Sequence, residues 1–149
     1  MKLIDTDEAI LIVTGGGIAA EERDRPLAYW LKSEIDRRGA GHQFRRAVVV
    51  SDGWYAENRV FHLNPAVMIG GPGVNVGARE VAGRLPVVIA EGEQSFVQSG
   101  DVNEVPKVCL WGIDAAGTAR AVRLFVERDM LSGLLDRIWR LRPNVGEYA

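Results

Sequence analysis

Short, continuous runs of aliphatic residues, separated by helical patterns, constrain this chain more than any other feature. Ala9–Val13, Ala47–Val50, Ala66–Ile69, Val87–Ala90 and Val108–Trp111 are rich in Val and Ile, with little polar alternation. Strands that read this way are covered on both faces, as in a parallel sheet. Between them lie helical spacings. Asp24 and Pro26 suit a cap and a first turn, and Leu27, Trp30, Leu31 and Ile35 then share one face until Gly39. A second helix is predicted after Asn75, with Val81 and Leu85 inward, and a third near Asp114, with Ala119, Val122 and Val126 on one side. Leu131, Leu134, Leu135 and Ile138 outline a last helix, closed by Pro143.

Strands alternating with helices predict an α/β fold with right-handed crossovers. The expectation is a three-layer sandwich, Rossmann-like or flavodoxin-like, around a mostly parallel sheet of about five strands. Two stretches break the alternation: Trp54–Asn64 has no clear helical face and predicts an irregular link, and Gln94–Gln98 suits a short additional strand. Residues 1–143 read as a single α/β domain and 144–149 as a loose C-terminal tail.

Composition narrows the function classes. With 149 residues, 47% of them hydrophobic, the chain can bury a substantial core. A net charge of −2 and the lack of a concentrated basic stripe argue against a nucleic-acid partner. Arg37, Arg38, Arg45 and Arg46 form the main cationic cluster, read as a solvated helix end with its loop. No apolar run reaches the ~20 residues of a membrane-spanning helix, so no membrane partner is expected. Asp5, Asp7 and Glu8 fall where a signal peptide needs an apolar region, which makes the cytoplasm the expected location. The single cysteine, Cys109, sits in an apolar run and reads as a core residue. His42 and His62 are isolated from other metal-ligating residue types, so no metal is assigned.

Chemistry, if present, is expected where strands exit into helices, because open α/β sheets bind ligands beyond the carboxyl ends of their strands. Those exits are Thr14-Gly15-Gly16-Gly17, Ser51-Asp52-Gly53-Trp54, Gly70 to Asn75, Glu91-Gly92 and Gly112-Ile113-Asp114. Candidate ligand-binding residues are Gly15, Gly16, Gly17, Asp52, Gly71, Gly73, Asn75 and Asp114. Glycine exits expose amides that favour an anionic group. Gly15 to Ala20 fits Gly-x-Gly-x-x-Ala, but a dinucleotide site needs the helix to start inside the motif. The polar stretch Glu21–Arg25 and Pro26 predict a later start, so a flexible glycine-rich loop is the favoured reading there. At Gly70–Asn75 a tight turn and a ligand cradle explain the residues equally well. Asp52, Glu91 and Asp114 are strand-end acids that suit turns and caps, or a Mg²⁺ with phosphate oxygens. Trp54 and Trp111 stand near the same edge and could stack on a ring. No Gly-x-Ser-x-Gly elbow, Walker loop or paired-cysteine motif occurs.

Ile69-Gly70-Gly71-Pro72-Gly73-Val74-Asn75, together with Gly112-Ile113-Asp114-Ala115-Ala116-Gly117-Thr118-Ala119-Arg120-Ala121-Val122, resembles a pair of segments in the Rossmann-like module of archaeal S-layer proteins. That resemblance implies a structural or surface-assembly role. The expected function is a non-catalytic assembly or interaction module. The alternative is a protein or enzyme that binds a nucleotide or phosphorylated metabolite through its glycine-rich exits. No cofactor is assigned. An anionic small molecule and a second copy of the chain are the candidate partners, the latter through Leu131, Leu134 and Ile138 on the last helix.

Overall fold

The computed structural model describes residues 8–139. Pro143 and the tail assigned to 144–149 lie outside the described residues. Six strands form one sheet: β1 Ile10–Thr14, β2 Ala47–Ser51, β3 Ala66–Ile69, β4 Val87–Glu91, β5 Ser95–Val102 and β6 Val105–Gly112. Their order is β2-β1-β3-β6-β5-β4. β1 pairs in parallel with β2 and β3, and β3 pairs in parallel with β6. β5 runs antiparallel to both β6 and β4.

The sheet is therefore mixed, with six strands rather than about five. The unexpected length lies in β5, predicted as a short strand over Gln94–Gln98. It extends to Val102 and turns into β6 through Asn103 and Glu104, which both take positive φ, 52° and 67°. Two such residues match the right-handed twist of a hairpin. Ser99, Gly100 and Asp101 hid the extension beyond Gln98, because their strand character comes from pairing with β6. Buried Gln98 donates from Nε2 to the carbonyls of Ala82 and Leu85, and its Oε1 accepts from Trp111 Nε1. A second correction concerns β4, which is an edge strand with Val87 and Val88 about half exposed. A continuous apolar run does not by itself distinguish an edge from a buried parallel strand.

Six helices follow the strands: α1 Ile18–Arg23, α2 Arg25–Arg38, α3 Asp52–Glu57, α4 Val76–Val81, α5 Ala115–Glu127 and α6 Met130–Trp139. The link predicted as irregular contains α3 and then a 3₁₀ turn over Arg59–Leu63. Ile10, Ile12, Val67, Ile69, Val108 and Leu110 face α2, α5 and α6 in one core. Leu11, Val13, Met68 and Cys109 face α3, α4 and their 3₁₀ extensions in the other. Alternate strand residues thus feed opposite layers, as the period of a strand requires. Leu131 and Ile138 are buried in the first core and Leu134 packs against it. That face of α6 caps the chain's own sheet, with Leu134 half-buried. No helix among the described residues is long and apolar enough to cross a membrane.

Candidate functional site

β1, β2, β3 and β6 are parallel, so their glycine-rich exits gather at one edge. Gly15 packs on the backbone of Val74, and Gly16 lies over the Asp52 carboxylate. The first three exits therefore meet. Asp52 Oδ2 accepts the Val76 amide at 2.9 Å, closing the start of α4 with a carboxylate from the end of β2, across β1. Asn75 is fully buried and works as a clamp. Its Nδ2 donates to the carbonyls of Val13 and Ile69, and its Oδ1 accepts the Ala78 amide. The amides of Val74 and Asn75 donate to the Gly71 carbonyl. Two of the four backbone amides that an anion would seek at Gly71–Asn75 are thus already occupied within the turn. Gly73 has open space where a side chain would go.

Asp114 Oδ1 accepts the Gly117 amide at 2.7 Å, which makes Asp114 the N-cap of α5. Glu91 is bridged by Arg120 at 2.8 Å, and that guanidinium holds its carboxyl below the usual range. Trp111 packs against Phe96 and donates to Gln98, and Trp54 stacks on Phe61. His62 stacks on Tyr55 and bonds to the Tyr55 carbonyl. Burial pushes the Cys109 thiol up to about 12, which leaves it protonated and inert. Among the described residues no group of three His, Cys, Asp or Glu is placed to hold a metal ion.

Two features depart from the sequence reading. α1 begins at Ile18, directly after Gly17, so the helix does start within Gly-x-Gly-x-x-Ala. The polar stretch Glu21–Arg25 is the continuation of that helix, which passes into α2 at Asp24, where the Ala28 amide donates to the Asp24 carbonyl. Asp24 also makes no side-chain cap bond. Instead it lies in the buried stripe Ala20, Asp24, Ala28, Leu31 and Ile35, at the i, i+4, i+8, i+11 and i+15 spacing of a helix face. That periodicity was the available signal, and reading Asp24 as a cap concealed it.

Asp24 is 6% exposed, and among the described residues its carboxylate accepts no hydrogen bond. It lines a cavity of about 110 Å³ at the carboxyl edge, between α1, the Gly71–Val74 turn and the start of α5. Arg23, Gly112 and Asp114 complete the walls that matter here. Burial raises the Asp24 carboxyl above its ordinary value, and Arg23 partly offsets this. An acid whose folded-state value is raised opposes folding once pH climbs above that value, and the penalty disappears below its unfolded-state value. Replacing Asp24 with Asn is expected to raise Tm at pH 7 by about 2–4 °C, the shift that ~1 kcal/mol gives a chain of this size. The gap should close as pH falls toward 4, and a melting curve at each pH checks it. A lower Tm for the variant at pH 7 would mean that the carboxylate supports the fold.

No family model matches the chain, and no curated protein sequence matches it.

Proposed function

We propose that this chain is a non-catalytic interaction module that docks another protein on the carboxyl edge of its sheet. Three bare aliphatic side chains around the cavity at that edge carry the reading. Ile18 is 82% exposed, Ile113 71% and Val74 56%. Val74 and Ile113 line the cavity, and Ile18 adjoins Ala19 and Ala20, which line it too. Single exposed aliphatics are ordinary, but several around a pocket with a polar floor are the anatomy of a docking site. The polar groups of the edge meanwhile serve the fold, with Asp52, Asn75 and Asp114 each engaging a helix-start amide. The strand order opens 2-1-3, as flavodoxin-like sheets do, which supports the flavodoxin-like form of the fold. The resemblance to the S-layer module points to the same kind of role.

The double variant Ile18→Glu, Ile113→Glu tests the reading. Both side chains are solvent-facing, so stability should change by no more than ~0.5 kcal/mol. Peptides selected on the intact wild-type chain from a displayed random library should lose at least about tenfold in affinity for the variant. Selected peptides that bind both proteins equally would remove the carboxyl edge as the docking surface.

A second reading, a nucleotide or phosphorylated metabolite at the same edge, is favoured by one observation. α1 starts immediately after the three glycines, with no side chain capping it. The acids Asp24, Asp52 and Asp114 oppose an anion there, and a cavity of about 110 Å³ is well below the ~300–1,000 Å³ of small-molecule pockets. A thermal-shift screen with nucleotides and phosphorylated metabolites separates the two, and a hit abolished by Gly16→Val would favour the metabolite.

A further inference from the structure

We propose that the cavity at Asp24 seats one lysine or arginine side chain of the docked partner, an inference that rests on the docking reading above. Asp24 is a carboxylate set into the apolar stripe of a helix, 6% exposed, with no hydrogen bond and no ion pair among the described residues. Buried charges are ordinarily paired, because an unpaired one forfeits its hydration without return. Arg23 lies on the same wall, yet it is exposed and makes no ion pair with Asp24. Among the described residues Asp24 gains only the partial compensation of exposed Arg23, which leaves it able to take a cation or a strong donor from a docked partner. Asp114 also lines the cavity, and its carboxylate, with Oδ1 held by the Gly117 amide, adds a second negative charge.

Size and lining narrow the class. A cavity of about 110 Å³ has room for an ammonium or guanidinium head. The approach runs past Val74 and Ile113, which are apolar and exposed. Lysine and arginine match that gradient, with an aliphatic stem for the rim and a charged head for the floor. A charge-assisted hydrogen bond formed away from water is the kind of contact that anchors an interface. Anionic side chains would meet two carboxylates, and the nearby amides of Val76, Ala78 and Gly117 are already bonded to Asp52, Asn75 and Asp114.

The experiment uses the full chain and the strongest peptide from the displayed-library selection, resynthesised with each basic residue replaced in turn by norleucine. Wild type should enrich peptides carrying a Lys or Arg beside apolar residues. Asp24→Asn should weaken binding by about tenfold or more, the range for a hydrogen bond to a charged group. Norleucine at the anchoring position should weaken binding similarly, and the two changes together should weaken it little further, which identifies the pair. Norleucine leaves the protein untouched, so the result stands even if Asp24→Asn alters stability. Peptides that lose affinity for the Ile18→Glu, Ile113→Glu variant but ignore both Asp24→Asn and norleucine would overturn the seat and leave the docking surface standing. Peptides indifferent to all of these changes would overturn both. Self-association of the chain through this edge, unaltered by Asp24→Asn, would likewise overturn the seat.

Discussion

Replacing Gly112 with alanine is expected to cost the fold about 3–5 kcal/mol, among the largest effects a single methyl group can have. Gly112 ends β6 where α5 folds back over it. A Cβ there would lie 2.5 Å from the Thr118 nitrogen and closer still to the Gly117 carbonyl carbon. Both obstacles are backbone, so no rotamer change relieves them, and α5 must lift from the sheet. Lifting it strains the bond from the Gly112 amide to Thr118 Oγ1 and the bond from Ser95 Oγ to the Gly117 carbonyl. It also loosens Ala121, Val122, Leu124 and Phe125 from the core. Gly73→Ala is the control, because nothing lies within 4 Å of a Cβ at that position. Urea unfolding should show the control within ~0.5 kcal/mol of wild type and Gly112→Ala far below it. Equal midpoints for the two variants would mean that the start of α5 can slide without loss.

Gly112 and Gly73 looked alike in the sequence, as glycines at strand exits, and the difference between them comes from tertiary approach. The same limit explains which parts of the fold were legible. Ile10–Val13 of β1, β3 and Val108–Leu110 of β6 declared themselves because they are buried on both faces and every residue there is apolar. β5 declared itself only as far as Gln98, since Ser99, Gly100 and Asp101 owe their strand character to pairing with β6. β4 has the composition of a central strand and the position of an edge one. Polar spacing and Pro26 pointed to a late helix start. Proline at the second position of α2 leaves the helix to run through Asp24 from α1.

The candidate site was legible as a place more than as a mechanism. Gly15, Gly16, Asp52 and the Gly71–Asn75 turn do converge, because parallel strands put their exits together. What each residue does there depends on its neighbours. Asp52 spends its carboxylate on the Val76 amide, and Asn75 spends all three of its polar contacts on strand ends and a helix start. Neither pairing can be read from residues 24 or 62 positions apart without the sheet order. Asp24, conversely, was marked by its helical spacing with Ala28, Leu31 and Ile35. An acid on that stripe is out of place for packing, which makes its position the more informative one.

Truncating Lys107 to alanine is the other change with a large expected effect, about 3–5 kcal/mol. Lys107 projects from β6 and is only 3% exposed. Its Nζ donates to the Tyr55 hydroxyl at 3.0 Å, to the His62 carbonyl at 2.8 Å and to the Asn64 carbonyl at 2.9 Å. It thereby ties the end of α3 and the 3₁₀ turn to the sheet. Alanine leaves three buried acceptors without this donor and opens a cavity, each orphaned acceptor costing roughly 1–3 kcal/mol, while the relief of a buried charge offsets part of the sum. Methionine fills the space without donating, so Lys107→Met should lose less than Lys107→Ala. Burial pushes the Lys107 ammonium from 10.5 down to about 8. Between those values the unfolded chain holds the proton that the folded chain has released, so wild-type stability rises with pH across that window. Lys107→Met lacks that rise. The Cys109 thiol, raised by burial, pulls in the opposite direction in alkali and cancels in the difference between the two proteins, while the Tyr55 hydroxyl, raised from an ordinary value of 10.0, acts at the top of the window and above it. Urea midpoints at intervals from pH 7 to pH 10 should therefore show wild type gaining on Lys107→Met above about pH 8. A flat difference would show that the three oxygens keep Lys107 charged throughout.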